Sequence, residues 1–234
     1  MFKIRSFRAI SDKESSLKFV EGHGRVLTSI GIKSLKSSEH VWVNNPGVYC
    51  IIVESLDGKK VYGGARIQLK SDTYPLPMED AIGKLDPSIH EVVASYSEKS
   101  TAELCGLWNS REVAGMGIGS ILLGRACVAR AGLVLAGQLK LGSLFALCAS
   151  YTLKMALSTG FEVERSVGVN GRFAYPKEDF IAVATLHKNL FDLSTASLIE
   201  KEAIESLRAN PFQEREEKGP KGISTVVYDL RFNE

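Results

Sequence analysis

The sequence predicts an α/β fold, with a mixed sheet of parallel and antiparallel strands flanked by helices and followed by a C-terminal helix and an extra strand. Runs with strand patterning alternate with runs of helical patterning, Asp-Gly and Asn-Gly dipeptides separate neighbouring strands, and a glycine-rich loop joins a strand to a helix. Hydrophobic residues make up 44% of the 234 residues, so the chain can bury a substantial core.

The N-terminal segment is expected to begin with a strand and a helical region. Residues Phe2 to Ile10 alternate in polarity, which predicts a strand rather than a signal peptide. Residues Asp12 to Ile32 show helical spacing that Gly22 and Gly24 interrupt, which predicts two short helices.

The central elements are predicted to form a hairpin and a buried strand. The runs 48–56 and 60–69 flank Asp57-Gly58, a dipeptide that favours a two-residue hairpin turn. Residues 72–99 are proline-rich and then weakly helical. The run Thr101–Ser110 predicts a strand that leads into the glycine-rich loop.

Past the glycine-rich loop, helices and strands continue to alternate. Gly160 stands in the position that ends a helix, and Asn170-Gly171 favours a hairpin turn. We therefore predict helices over 119–137 and 150–159 and strands over 139–149, 161–169 and 173–187.

The last 45 residues are predicted to be an extension. We expect a main domain over 1–189 and an extension over 190–234, which contains a helix (194–208), a solvated charged linker (213–221) and a strand (223–232). The strand is too apolar to be left in water, so it should pair outside the core sheet, at its edge or on a partner subunit.

Charge and the placement of cysteine and histidine exclude several function classes. A net charge of +2 is too small to predict nucleic-acid binding. The four cysteines form no C-x-x-C pair, which predicts buried thiols in a reducing compartment such as the cytoplasm. The four histidines lack metal-ligand spacing. Charged residues interrupt the apolar stretch 119–149, so we expect no membrane span.

The glycine-rich loop, Ala114-Gly-Met-Gly-Ile-Gly-Ser120, is a candidate anion site. A strand that leads through glycines into a helix directs several backbone N–H groups at one point, and the start of a helix favours negative charge. A tight turn that needs only flexibility is the alternative interpretation. No Asp or Glu lies between Glu112 and Glu162, whereas Arg125, Arg130, Lys140 and Lys154 do, which favours a polyphosphate ligand unless these residues form a basic surface.

Two other phosphate-binding motifs do not fit this loop. The dinucleotide fingerprint G-x-G-x-x-G fails at its third glycine, which falls on Ser120 or Leu122, and the acidic residue about 20 positions later is absent. The nucleotide P-loop requires a lysine after the glycines, and none follows.

The segment Ala114 to Ser120, with the strand before it and the strand and Gly160-Phe161 after it, resembles the acyl-CoA loop of the GNAT superfamily of N-acyltransferases. The resemblance covers about 48–187 and implies a GNAT-like sheet and an acyl-CoA or acetyl-CoA donor. It places the donor pyrophosphate on Val113, Gly115, Gly117, Ile118, Gly119 and Ser120.

A second likeness indicates which branch of the GNAT superfamily the sequence resembles most. Gly63-Gly-Ala-Arg66-Ile-Gln, Tyr74-Pro-Leu-Pro-Met-Glu-Asp80 and Ala102-Glu103-Leu resemble the autoinducer (acyl-homoserine lactone) synthases and their N-acyl amino acid synthase relatives. That branch takes acyl groups from CoA or acyl-carrier protein. The resemblance implies that Arg66 and Glu103 lie near the acceptor and its amine.

The chain departs from these patterns at three positions. Ala114 replaces the basic residue that opens the GNAT loop, so Arg111 is the candidate for the lost phosphate contact. Ala156 stands where many GNAT enzymes have a tyrosine that protonates the leaving thiolate. Gly106 replaces an arginine of the autoinducer synthases, which favours an acceptor other than the homoserine lactone precursor.

Acyl transfer to an amine needs a base, donors for the oxyanion and a proton for the thiolate. Strand alternation predicts that Glu103, Cys105, Leu107 and Asn109 share one face. A carboxylate on a mostly apolar strand is costly, so Glu103 is the candidate base, and an ion pair with Arg66 is the alternative. We expect Arg66 and Asn109 to contact the acceptor.

Tyr151, with Tyr175 behind it, is the candidate acid for the thiolate, against the alternative that both rings only pack. Cys105 is expected to be a small buried residue rather than a nucleophile. The sequence therefore predicts an N-acyltransferase without a metal, which acts on a small amine or amino acid, and leaves open a carrier-protein donor and a homodimer. The alternatives are a non-catalytic acyl-CoA sensor and a structural domain.

Overall fold

The computed structural model describes residues 1–32, 40–114, 118–119, 121–219 and 222–231. Its strands are β1 (Phe2–Arg8), β2 (Val48–Glu54), β3 (Val61–Leu69), β4 (Thr101–Asn109), β5 (Ser143–Ala149), β6 (Glu162–Val163), β7 (Arg172–Ala174), β8 (Ile181–His187), β9 (Phe212–Gly219) and β10 (Gly222–Asp229). Its helices are α1 (Lys13–Ser29), α2 (Pro77–Ile82), α3 (Ser88–Ser95), α4 (Arg111–Ala114), the π-helix Ile121–Ala131, α5 (Gly132–Gln138), α6 (Ser150–Ser158) and α7 (Leu198–Ala209).

These strands form one mixed sheet, as the sequence predicts. Their order is β6-β8-β5-β4-β3-β2-β1-β10-β9, with β7 also paired to β8. The pairs β4–β5 and β1–β10 are parallel, and the other pairs are antiparallel. The parallel β4–β5 pair is joined through α4, the π-helix and α5, which is the crossover that a parallel pair requires.

The core lies on both faces of the sheet. On the first face, α1 and α3 cover apolar side chains such as Cys50, Ile52, Phe145 and Leu186. On the second face, the π-helix, α5, α6 and α7 cover the alternate side chains, such as Ile51 and Leu104. A ligand that reaches the middle of the sheet is therefore enclosed by helices on either side.

The N-terminal helix is continuous, so the prediction of two short helices is wrong. Gly22 and Gly24 both lie inside α1. A Cβ atom at Gly22 would lie 2.1 Å from the Trp108 ring, so the glycine lets α1 pack closely against β4. Tertiary packing here outweighs the low helix propensity of glycine.

The two predicted hairpins are present, with changes in detail. Ser55 N–H donates to the Lys60 carbonyl, so four residues rather than two form the loop between β2 and β3. Asn170 and Gly171 have φ values of 53° and 83° between a bridge of Val169 and Arg172, as a two-residue turn requires. The prediction of one strand over 173–187 is wrong, because this run is divided into β7 and β8, which pair with each other, and only β6 remains of the predicted strand 161–169.

The helix after the glycine-rich loop is confirmed, but its first part, Ile121–Ala131, is a π-helix that the sequence pattern did not predict. The π-helix is a rare conformation, and π-bulges in particular are frequent at functional sites. Arg130 in this segment is buried and binds Glu200 (Nε to Oε2, 3.0 Å) and Glu217. It therefore adds no free positive charge near the loop, contrary to the predicted field of four basic residues.

The charged stretch near the C-terminus is a strand, so the predicted solvated linker is wrong. Residues 212–219 form β9, which pairs with β10, and Glu217 is buried. Charged residues fit this strand because most of them point outward on a sheet edge. The predicted last strand is confirmed as β10, which extends the sheet beside β1.

The division at residue 190 stays a prediction. The C-terminal elements α7 and β10 contribute Leu207, Val226 and Tyr228 to the same apolar cluster as Leu104 and Leu144.

Candidate active site in the cleft between β4 and β5

The sheet opens in its middle, between β4 and β5. These parallel strands pair only over Thr101–Glu103 and Ser143–Phe145, although they continue to Asn109 and Ala149. Their carboxyl ends therefore diverge and leave a cleft that reaches both faces of the sheet. The carboxyl ends of diverging parallel strands are a common ligand site in α/β folds.

This cleft contains a cavity of about 440 Å³. Its volume lies in the range of small-molecule sites, roughly 300–1,000 Å³. The cavity wall combines both strands with α1, α2, α6 and the π-helix, so it passes through the sheet rather than lying on one face.

The two ends of the cavity differ in polarity. On the second face, which we call the apolar lobe, most of the wall is hydrocarbon, from Leu104, Val128, Ala146, Met155, Ala156 and Phe161. On the first face, which we call the polar lobe, ionisable or polar groups line the wall, from His23, Asp80, Glu103, Cys105 and Tyr175. The cavity can thus hold a molecule with a long apolar end beside a polar one.

Glu103 lies in the polar lobe, where the sequence places the candidate base. Its side chain is 2% exposed, and its Oε2 accepts a hydrogen bond of 2.6 Å from the backbone N–H of Met78. Burial raises its pKa to about 8, against the lowering effects of the Met78 hydrogen bond and of the Arg66 charge. A carboxyl group with such a pKa can exchange a proton near neutral pH.

A second buried carboxylate holds the segment that binds Glu103. Glu79 in α2 accepts hydrogen bonds from Lys70 Nζ (2.9 Å) and from the N–H of Leu76 (2.7 Å), and its Oε1 lies 3.1 Å from His90 Nδ1. These contacts fix the start of α2 and, with it, the N–H of Met78. The position of Glu103 is thus set from outside the cavity.

A β-bulge in β4 changes which side chains share a face. Arg66 pairs with Cys105, but Gly64 pairs with Trp108, so Gly106 and Leu107 together oppose one residue of β3. Gly106 has a φ of 61°, which favours glycine. After the bulge, Trp108 packs on the first face and Leu107 on the second.

The bulge corrects one expectation about the site. Simple alternation places Asn109 on the face of Glu103, but Asn109 follows Trp108 and therefore lies on the opposite face. It pairs with Gly63 and does not line the cavity. Sequence alternation fails here because a single inserted residue reverses the faces.

Arg66 lies behind the bulge. It is 2% exposed, and its guanidinium stacks over the Trp42 ring, 4.8 Å from the centroid. A Cβ atom at Gly106 would lie 2.9 Å from Arg66 Nη1, so the glycine leaves room for the guanidinium next to the cavity wall. The structure therefore places Arg66 and Glu103 on the same face of the sheet.

The two candidate acids differ in depth. Tyr151 begins α6 at the rim of the cavity and is 75% exposed. Tyr175 lies deeper in the polar lobe, and burial and then the Glu103 charge raise the pKa of its hydroxyl. Cys105 also lines the cavity, and burial raises its thiol pKa to about 12, which disfavours a nucleophilic thiolate.

The predicted donor loop is described in part. Val113 is buried, Gly119 is buried, and the Ile118 carbonyl accepts the first hydrogen bonds of the π-helix. Gly115, Gly117 and Ser120 lie outside the described residues. Arg111, the candidate for a phosphate contact, donates from Nη2 to the Ser29 carbonyl at 3.0 Å.

His23 is a cavity residue that sequence reasoning missed. It is 4% exposed, and burial and then the Arg66 charge lower its pKa to about 4, so the imidazole is neutral at pH 7. The sequence did not single it out, because one of four scattered histidines belongs to no recognisable binding motif.

The described residues show neither a metal-binding cluster nor a membrane-spanning helix. The described residues contain no group of three or more His, Cys, Asp or Glu side chains placed to hold a metal ion. Among the described helices, none has the length and apolar character needed to cross a membrane.

Comparisons with known proteins identify the fold. No model of a known protein family matches the chain, and no curated protein matches its sequence. Among solved structures, FeeM, an N-acyl amino acid synthase from uncultured soil microbes, is 13% identical with a TM-score of 0.58 over 86% of this chain and 98% of its own.

Two further structures extend this likeness. BjaI, a CoA-dependent acyl-homoserine lactone synthase solved with SAM and isopentyl-CoA, is 14% identical with a TM-score of 0.56 over 89% of both chains. An acyl-CoA N-acyltransferase from Pseudomonas aeruginosa is 12% identical with a TM-score of 0.50 over 80% of this chain and 99% of its own. The chain therefore has the GNAT-like acyltransferase fold, as the sequence resemblance predicts.

Proposed function

We propose that this protein is an N-acyltransferase that moves an acyl group from acyl-CoA to a small amine or an amino acid by direct transfer. The observation that carries the proposal is the cavity through the diverging β4 and β5, which joins an apolar lobe to a polar lobe with a buried carboxyl group. The apolar lobe suits an acyl chain, and the polar lobe suits the amine. The fold and the enzymes that share it support the same activity.

The reaction needs two proton transfers, one from the attacking amine and one to the departing thiolate. The amine nitrogen attacks the thioester carbonyl, and Glu103 takes the proton that the nitrogen loses, directly or through water. The carbon–sulfur bond then breaks, and the thiolate takes a proton from Tyr151 or Tyr175 to leave as free CoA. A Glu103 pKa of about 8 suits this role, since a base works best when its pKa lies near the working pH.

The donor is proposed to bind along the loop that precedes the π-helix. In this proposal the pyrophosphate is held by backbone N–H groups over Val113, Gly115, Gly117, Ile118, Gly119 and Ser120, because the start of a helix favours an anion. Arg66 faces the acceptor from behind Gly106. Asn109, on the opposite face of the sheet, has no part in the acceptor site.

One observation favours a second candidate, an acyl-CoA sensor without catalysis. Ala156 lines the apolar lobe at the position where the resemblance places a catalytic tyrosine, and Tyr151 is largely exposed. A sensor would bind the donor in the same cleft but release no thiol when amines are added.

The proposal also covers the acyl donor, the cellular location and the oligomeric state. Acyl-carrier protein is an alternative donor, in line with the resemblance to autoinducer synthases. A cytoplasmic location agrees with four cysteines that form no disulfide bond. A homodimer is a further proposal, which sedimentation analysis can test.

The experiment has two steps. Binding of CoA is measured first by calorimetry with the wild type and with Gly117→Val, whose β-carbon should block the loop, while NAD and ATP serve as ligand controls. Free thiol release from octanoyl-CoA is then measured with a panel of the amino acids, leucinamide, ethanolamine and homoserine lactone. Thiol release that depends on an amine supports the enzyme, and binding without release supports the sensor. Unchanged CoA affinity in a folded Gly117→Val protein would contradict the donor site.

A further inference from the structure

One polar side chain in the cavity has no role in the reaction described above. His23 projects from α1 into the polar lobe, where its imidazole forms part of the cavity wall. Burial and the Arg66 charge keep this imidazole neutral, so one ring nitrogen can donate a hydrogen bond and the other can accept one. Because it lies on the cavity wall, a molecule bound in the polar lobe would contact it.

The packing around His23 holds its ring in place. Gly22 lies against Trp108, so α1 approaches β4 closely at this point of the helix. Phe19, one helical turn earlier, meets the rings of both His23 and Trp108 edge-on, at centroid distances of 6.1 and 5.7 Å. The imidazole is thus fixed on the cavity wall rather than free to turn away.

We propose that His23 is an acceptor-binding residue, whose neutral imidazole accepts a hydrogen bond from an N–H of the acceptor amine and leaves the lone pair of that nitrogen free to attack. This inference rests on the proposed acyl transfer and adds to it a residue that neither the sequence nor the resemblance assigns. His23 on α1 and Glu103 on β4 line the same lobe, so an amine bound there can meet both a hydrogen-bond acceptor and the proposed base.

The charged and ionisable groups around the polar lobe favour a binding role for His23 over a role in proton transfer. The ionisable or charged groups near it come from α2, β3, β4 and the segment before β8: Asp80, Arg66, Cys105, Glu103 and Tyr175. The Arg66 charge and burial both disfavour a proton on the imidazole. His23 therefore stays neutral while Glu103 takes the proton, and the two residues have separable effects.

The test compares His23→Leu, which removes the hydrogen bond, with His23→Gln, whose amide can replace it, and with His40→Leu, the same change at an exposed site outside the cavity. With octanoyl-CoA and the most reactive amine of the panel, we expect the KM for the amine to rise about tenfold in His23→Leu, as loss of one buried hydrogen bond implies. His23→Gln should recover part of this loss. The KM for octanoyl-CoA, kcat and the midpoint of the pH–rate profile should stay near their wild-type values.

Three results would overturn the proposal. They are an unchanged amine KM in His23→Leu, an equal rise in the KM for octanoyl-CoA, and a shifted pH midpoint, which would make His23 part of the proton transfer.

A second measurement does not depend on turnover or on the folding of a variant. The wild-type protein is labelled with ¹⁵N-histidine, its four histidines are distinguished with His23→Gln, and each amine of the panel is added without a donor. A change in the ring nitrogen shifts of His23 is expected, and no change with any amine would overturn the proposal. If no amine releases thiol, the proposed enzyme fails while this titration still decides the role of His23.

Discussion

Two buried glutamates, Glu103 in the cleft and Glu217 in the C-terminal hairpin, show how partners decide the role of a buried charge. Both side chains are nearly inaccessible, at 2% and 3% exposure. Glu217 binds Arg130, accepts a hydrogen bond of 2.9 Å from the Tyr228 hydroxyl, and lies 3.6 Å from Arg215 Nε. Glu103 accepts one backbone hydrogen bond and faces a cavity.

The difference follows from the energetics of a buried carboxylate. A charge removed from water needs compensating partners, and Glu217 finds them on the π-helix, on β9 itself and on β10. Glu103 has fewer compensating partners, so its carboxyl group keeps its proton to a higher pH. Burial alone is therefore a poor guide to a catalytic group, and the proposal that Glu103 is the base rests on burial with few partners beside a cavity.

The largest expected effect is on turnover at Glu103. Glu103→Gln keeps the shape of the side chain and removes the base, so turnover should fall by about 10²–10⁴-fold. The affinity for CoA should be kept and the melting temperature at pH 7 should not fall, because glutamine can still accept the Met78 hydrogen bond and carries no charge to be neutralised on folding. Steady-state thiol release, calorimetry and thermal unfolding measure the three quantities.

Either of two results would contradict this assignment. Normal turnover in Glu103→Gln would place the base elsewhere or show that water suffices. A variant that unfolds would show that Glu103 is a structural partner of Arg66 instead.

The second effect is on stability at the hairpin. Arg130→Leu leaves Glu200 and Glu217 buried without their shared cation and should lower the free energy of unfolding by about 3–5 kcal/mol. Arg25→Leu, the same change in an exposed pair with Glu21, should cost at most about 0.5 kcal/mol. Urea unfolding measures both, and equal losses in the two variants would remove the contrast between the hairpin and the cleft.

The third effect is a pH dependence that only the cleft should show. Glu103 binds its proton more tightly in the folded than in the unfolded chain, since its pKa is raised from the model-peptide value of 4.5 to about 8. Its contribution to stability is present below about pH 4.5 and is lost as pH rises through 8. Between pH 6.5 and 7.5 the loss is about 1.2 kcal/mol.

The comparison of the wild type with Glu103→Gln isolates this slope. His23, whose pKa is lowered, acts in the opposite direction below about pH 6.5, so the window above that value reports on Glu103. The difference in unfolding free energy between the two proteins should change with pH by the stated amount. A constant difference would show that Glu103 is ionised throughout.

Local sequence signals predicted most of the sheet and one part of the site. The strand patterning of Thr101–Asn109 and the unusual carboxylate at Glu103 depend on neighbours within a few residues, so the sequence alone places both. The resemblance added the overall fold. The same local logic also gave β10, whose apolar residues need a partner strand.

The features that sequence reasoning missed depend on contacts between distant residues. The charged residues of β9 were predicted to form a solvated linker, because nothing nearby in the sequence pairs with Glu217. Its partner, Arg130, lies 87 residues earlier in the chain. The single helix α1 depends on Trp108 lying against Gly22. The place of His23 in the cavity depends on the same contact, and the face of Asn109 depends on the bulge at Gly106.

The smallest expected effect separates backbone strain from a change at the site. Gly106 in the cleft and Gly222 in the C-terminal hairpin both have positive φ values, 61° and 124°. A Cβ atom at Gly222 meets nothing within 4 Å, whereas one at Gly106 would lie 2.9 Å from Arg66 Nη1. Gly222→Ala should therefore cost about 1 kcal/mol of stability through strain alone and leave turnover unchanged.

Gly106→Ala should show a comparable loss of stability from strain, and it should also move the Arg66 guanidinium away from the cavity wall. Because Arg66 lowers the pKa of both Glu103 and His23, its displacement should raise the pH midpoint of turnover and the KM for the amine. Thermal unfolding and pH–rate profiles of the two variants decide the question. If both variants lose stability and neither changes the profile, Arg66 packs beside the cavity without acting on the groups inside it.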